Sequence, residues 1–202
     1  MRILSVSIGK AVVLFENPNG SKKILSAIDK HPVSTLTQAD PIALKNLGLN
    51  GDEQADLSVH GGLEKAIYAY PSEHYAFWNE LLTRETRKNV SLQHGAFGEN
   101  LTVEGLNESD VFVGDIWHVG NAELVVVKLR EPCFKFNFKM GYKGASKVMV
   151  QSAYSGWYLR VNKIGEIKAG DEIHVQAGRR EISITDQNKL LNRKNQQKEL
   201  WD

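Results

Sequence analysis

Cysteine is nearly absent: Cys133 stands alone in 202 residues. That excludes an intramolecular disulfide framework. No apolar run approaches transmembrane length. The short apolar start, Met1-Arg2-Ile3-Leu4-Ser5-Val6, has neither an extended signal-peptide core nor a small-residue cleavage site. Charge of one sign is lacking too, because 25 Lys and Arg face 24 Asp and Glu for a net +1. A general nucleic-acid-binding surface is therefore not expected. The chain holds no P-loop, no Gly-x-Gly-x-x-Gly after a strand, no Gly-x-Ser-x-Gly elbow and no His-Glu-x-x-His. Histidines 31, 60, 74, 94, 118 and 174 show no zinc-ligand spacing. These absences point to a cytoplasmic protein with neither membrane nor nucleic acid as partner, in which a lone thiol stays reduced.

Apolar residues make up 42% and charged residues 24%, as in an ordinary globular domain. Short strand patterns separated by turns dominate. Arg2–Ile8 and Ala11–Phe15 are apolar runs split by Gly9-Lys10, and Ala66–Tyr70 reads as a buried strand. Pro71 suits a first helical position, with Tyr75, Trp78, Leu81 and Leu82 forming a stripe that marks a core-facing helix. Gly120-Asn121 between two apolar runs predicts a tight hairpin. The hexamers Gly114–Val119 and Gly170–Val175 share Gly, Asp, His and Val in place, which reads as repeated turn chemistry at strand entries. Gly144–Gln151 suggests a short helix. From Ser183 the chain turns polar, and a helical tail with Leu190, Leu191 and Leu200-Trp201 as apolar anchors is expected to dock weakly or to mediate a contact. Many short strands with few helices predict a barrel or sandwich.

Three segments carry chemical potential. Cys133 follows Lys128-Leu129-Arg130-Glu131-Pro132 and precedes Lys135. Nearby cations favour the thiolate, a nucleophile and a soft metal ligand; a lone cysteine also serves as a small buried hydrophobe, and both readings stay open here. His60-Gly61-Gly62, with Lys65 after it, lets backbone N–H groups approach an anion closely, or forms a plain turn. Phe97-Gly98-Glu99-Asn100 offers donors and acceptors to a polar ligand, or closes a loop onto the next strand.

Together these segments resemble one family. Gly51-Asp52-Glu53-Gln54-Ala55-Asp56, His60-Gly61-Gly62, Tyr70-Pro71-x-x-His74-Tyr75-x-x-Trp78, Ala96–Leu101, Gly114-Asp115 and Arg130-x-Pro132-Cys133 fall in the order of the MOSC domain, named for the C-terminal domain of molybdenum cofactor sulfurase. The likeness is to its small bacterial branch linked to 6-N-hydroxylaminopurine resistance. It implies a mainly β, barrel-like domain over 1–178, with a helical tail over 179–202 that resembles only the beginning of a three-helix extension. It implies a molybdenum–molybdopterin cofactor, with Cys133 as the metal ligand. Lys10 and Arg130 become candidates for the cofactor phosphate. His60, Gly61 and Gly62 would line the pocket, with His60 as a proton donor. Phe97, Gly98, Glu99 and Asn100 would bind the pterin or shape its rim. The implied reaction is reduction of hydroxylaminopurines, amidoximes or hydroxylamines, with electrons from an external reductase.

Two features depart from the family. Lys128-Leu129-Arg130 replaces the usual Gln-Pro-Arg, and the tail is short. Pyridoxal phosphate is not expected, because no lysine has a context that singles it out for a Schiff base. Two other readings compete: a sulfur carrier holding a persulfide on Cys133, and a barrel that binds an anion without chemistry. Neither the substrate's identity nor the oligomeric state is encoded in any motif.

Overall fold

A computed structural model describes residues 1–17, 23–55 and 61–199, with side chains described to residue 196. The first part of the chain forms β1 (Arg2–Ile8), β2 (Val12–Glu16), β3 (Lys23–Ser26), β4 (His31–Thr35), β5 (Ile42–Lys45) and β6 (Gly48–Leu49). Then come β7 (Ile67–Pro71), α1 (Tyr75–Thr86), β8 (Leu101–Glu104), β9 (Ile116–Val119) and β10 (Ala122–Leu129). The last part comprises α2 (Phe134–Met140), α3 (Ala145–Ser152), β11 (Trp157–Lys163), β12 (Gly165–Ile167), β13 (Ile173–Gln176) and α4 (Ile184–Glu199).

Eight strands form a curled half-barrel in the order β13-β9-β10-β11-β7-β8-β1-β4. Only β7 and β8 pair in parallel among its described neighbours. An Arg2–Glu172 bridge, with Ile3 N–H donating to Asp171 O at 3.0 Å, draws the start of β1 to the opposite end of the sheet. This is the mainly β, barrel-like fold that the strand patterns imply. The expected hairpin joins β9 to β10. Gly120 takes φ 56° there, and a Cβ would lie 2.5 Å from Glu166 O, so this turn requires glycine.

The repeated hexamers end side by side, with His118 opposite His174. Asp115 Oδ1 accepts from Gly178 N–H at 2.8 Å and Asp171 Oδ2 from Lys168 N–H at 2.9 Å, so each aspartate braces a strand entry. Alternation along β10 buries Ala122, Leu124 and Val126 against the inner face with Trp117, Trp157 and Leu159.

A second core lies outside the sheet. Tyr75, Trp78, Leu81 and Leu82 of α1 are buried as their spacing predicts, with Phe97, Phe136 and Met149 packed around them. Trp78 Nε1–H donates to Tyr70 Oη at 2.7 Å, which satisfies the indole inside an apolar site. Pro71 departs from its expected place: it ends β7 with ψ 130°, paired with Val103, and α1 begins at Tyr75 after a single turn of 3-10 helix. Phe134–Met140 alternates like a strand in sequence yet folds as α2, burying Phe136 and Met140 and stopping at Gly141 with φ 62°.

The tail corrects an expectation. It docks as part of the core rather than weakly. Ile184 and Asn188 are fully buried, while Leu190 is exposed. Leu191 packs on the inner core. Asn188 Nδ2 donates to Ser155 Oγ at 2.9 Å, and Gln187 Oε1 accepts the Leu129 N–H at 2.7 Å. Leu200 and Trp201 lie outside the described residues. Ile184→Ala should therefore cost about 2–4 kcal/mol, the range for a large-to-small change in a packed core. Urea unfolding checks this; a loss under about 0.5 kcal/mol, the scale of ordinary surface changes, would mean the helix is an appendage.

Candidate active site

A cleft of about 110 Å3 opens between the β3–β4 connection, the segment after β6, the 95–100 loop and the end of β10. Cys133, half-buried, is on its wall with Arg130, Lys65, Lys135, Tyr68 and Tyr158. Phe97, Gly98 and Asn100 form another side. At Gly98, with φ +81°, a Cβ would stand 2.8 Å from Ile28 Cγ1, so only glycine lets the two walls approach this closely.

Asp52 organises the cleft. Its carboxylate takes Lys30 Nζ at 2.5 and 2.6 Å, Gly9 N–H at 2.8 Å and Asn100 Nδ2–H at 2.8 Å. Lys30 and Asp52 are both buried. Burial holds the Lys30 ammonium below its usual range, and Asp52 opposes that shift. Asn100 in turn accepts the Tyr68 N–H at 3.1 Å on Oδ1 and donates to Ser7 O at 3.2 Å. One hydrogen-bonded joint thus ties β1, β7, the β3–β4 connection and the segment after β6.

Arg130 is 5% exposed and forms no ion pair among the described residues. Its guanidinium lies 4.6 Å from the Phe136 ring centroid and 5.5 Å from that of Tyr68, with Nη1 donating to Met149 Sδ at 3.0 Å. Aromatic faces stabilise a cation but do not neutralise it. The positive charge is therefore directed at whatever occupies the cleft. Burial pushes the Tyr68 and Tyr158 phenols up, Arg130 opposing, so both stay protonated at neutral pH.

The residues expected at the site do not all meet there. Cys133, Arg130, Phe97, Gly98 and Asn100 meet at the cleft. Glu99 sits behind it, fully buried: it accepts from Gly95 N–H at 2.7 Å, Phe97 N–H at 3.0 Å, Thr102 Oγ1–H at 2.9 Å and the Tyr75 hydroxyl. It shapes the loop rather than touching the cleft. Lys10 is exposed and does not itself line the cleft, but it pairs at 3.0 Å with Glu53, which does. Gly61 and Gly62 are not among the lining residues, and Gly62 N–H donates at 2.9 Å to Oε1 of Gln54, which is. His60 lies outside the described residues. Lys30, Tyr68 and Tyr158 were not foreseen; an isolated lysine before His31-Pro32 carries no sequence signal.

The MOSC domain model matches residues 56–174, more than half the chain. The chain belongs to the MOSC domain family. YflK of Bacillus subtilis is 36% identical over 93% of this chain and 79% of its own length. The crystal structure of YiiM from Geobacillus stearothermophilus is similar at 32% identity and a TM-score of 0.73, covering 96% of this chain and 84% of that one. A Gibberella moniliformis protein named a reductase is 36% identical over 66% of this chain, but the match spans only 23% of that protein. MOSC domains are associated with molybdenum cofactor binding. Among the described residues no group of three or more His, Cys, Asp and Glu side chains could hold a metal ion.

Asp52→Asn should cost about 3–5 kcal/mol by stranding the buried Lys30 charge. Without Asp52 the ammonium is depressed further below its unfolded value, so the folded state binds fewer protons than the unfolded state across that interval. The variant's stability should then rise with pH from the depressed Lys30 value toward 10.5. Denaturant melts between pH 7 and 10 check this; a deficit that stays constant or grows contradicts it.

Proposed function

We infer that the chain is a molybdenum-cofactor-dependent reductase of N-hydroxylated compounds: hydroxylaminopurines, amidoximes or hydroxylamines. One observation carries the reading. A half-buried thiol and a buried guanidinium without a carboxylate partner open onto the same cleft. A thiolate suits a soft metal, and an uncompensated buried cation suits an anionic group. The donor set therefore fits a phosphate-bearing, sulfur-rich molybdenum cofactor.

In this reading Cys133 Sγ holds the metal, and Arg130 with Lys65 and Lys135 faces the anionic part. The 97–98 backbone and Asn100 bound the opposite side. When bound, the cofactor supplies a centre that cycles by two electrons. Overall, R–NHOH takes up two electrons and two protons, the N–O bond breaks, and R–NH2 and water leave. The electrons come from an external reductase. Tyr158, its phenol pushed up by burial, keeps its Oη proton at the cleft wall and does not serve as a base. The apolar faces of Phe97 and Tyr68 limit water around the reacting N–O bond.

Expression in a host that makes the cofactor, followed by metal analysis, tests this. Wild-type protein should carry about one molybdenum per chain and reduce an amidoxime with a chemical reductant. Cys133→Ser should lose the metal and at least ~100-fold in rate, the upper end of what losing even an outer-shell partner of a metal ligand costs. Wild-type protein without molybdenum under those conditions, or carrying a persulfide on Cys133 instead, sinks the reading.

A further inference from the structure

Charge in this chain is balanced overall but not locally. Between Glu131 and Glu166 there is no acidic residue, while Lys135, Lys139, Lys143, Lys147, Arg160 and Lys163 fall in that span. The first four lie at intervals of four on α2, α3 and the turn between them. Phe134 and Phe138 of α2 are 52% and 51% exposed, one helical turn apart, with their ring centroids 6.2 Å apart. Phe138 also meets Phe15 of β2 at 5.6 Å, and Lys135 Nζ donates to Leu25 O of β3 at 2.9 Å. The result is a small aromatic patch on α2, with Lys135 and Lys139 on the same helix, Lys143 in the turn that follows it and Lys147 on α3. It adjoins the cleft directly, because Lys135 lines it and Phe134 follows Cys133.

Apolar residues at a patch centre with same-sign charge around them mark a protein-docking surface. The sign selects the partner. Asp29 neutralises Lys139, but Lys143 forms no ion pair among the described residues. A carboxylate-rich partner is attracted to this face, whereas a second copy would bring lysines against lysines. Resting on the reductase reading above, we propose that α2 and the start of α3 form the docking surface for the electron donor, an acidic redox protein. Docking there places the donor against the cleft wall nearest Cys133 without covering the opposite side formed by Phe97–Asn100. Charge steering raises the encounter rate, and the two phenylalanines set the register.

The test uses a reduced acidic ferredoxin as the probe, with the full chain and Lys143→Glu and Phe134→Ser variants. Neither residue is part of the cleft machinery. Ferredoxin-driven amidoxime reduction and ferredoxin affinity for the cofactor-free chain are measured at low and high salt. Dithionite-driven reduction by each variant is the control. The expected result is a rise of about tenfold in ferredoxin KM and Kd for Lys143→Glu, a similar loss for wild type at high salt, and an unchanged dithionite rate. No saturable ferredoxin binding at low salt overturns the proposal, as do variants that bind like wild type and variants whose dithionite rate falls equally. Oligonucleotide binding or self-association through Phe134 in place of ferredoxin binding overturns it as well. If charge-dependent ferredoxin binding holds but dithionite drives no reduction, the docking surface stands and the reductase reading falls.

Discussion

The buried Lys30–Asp52 pair, completed by Asn100, is the constraint on which the site depends. A buried ion pair adds little to stability unless every remaining donor and acceptor is satisfied. Here Asp52 has backbone and amide partners besides the ammonium. The arrangement is better understood as a register device. Segments distant in sequence must come to one point before the carboxylate is paired, and the cleft walls are those segments. Glu99 does the same for the 95–98 loop, so acidic residues that sequence order places near a ligand work instead as braces for the loops around it.

On that frame the electrostatics are asymmetric. Lys30 is matched by Asp52, and Lys10 by Glu53. Arg130 is left to aromatic faces and a thioether. A cation held this way is kept in place with its charge unspent, next to the only thiol in the chain. The Lys128-Leu129 departure from the family pattern falls where β10 ends, and Leu129 N–H is held by Gln187 of the tail. The tail thereby fixes the backbone that leads into Arg130 and Cys133, which gives it a structural reason to dock firmly.

Much of the fold was legible because its signals are local. Apolar runs marked β1, β7 and β10, and helical spacing gave the buried face of α1. Glycine chemistry located the β9–β10 turn. What stayed hidden depends on distant partners. Phe134–Met140 alternates as a strand would, and only packing of Phe136 against Trp78 and Phe97 makes it a helix. Pro71 is drawn into the ladder by Val103, far along the chain. At the site, Cys133, Arg130 and Asn100 stand in recognisable motifs, whereas Lys30 and Tyr158 are brought in by topology alone. Lys10, a candidate only through the family resemblance, pairs with Glu53 on the cleft wall.

The central claim is that Cys133 Sγ is occupied by the metal of the bound cofactor. Iodoacetamide labelling of cofactor-loaded and cofactor-free protein, read by intact mass, tests it most directly. The account predicts full labelling of the empty chain, since Cys133 is half-exposed to the cleft. It predicts protection of the loaded chain in proportion to its molybdenum content. Equal labelling of Cys133 in both, with molybdenum present, would contradict it.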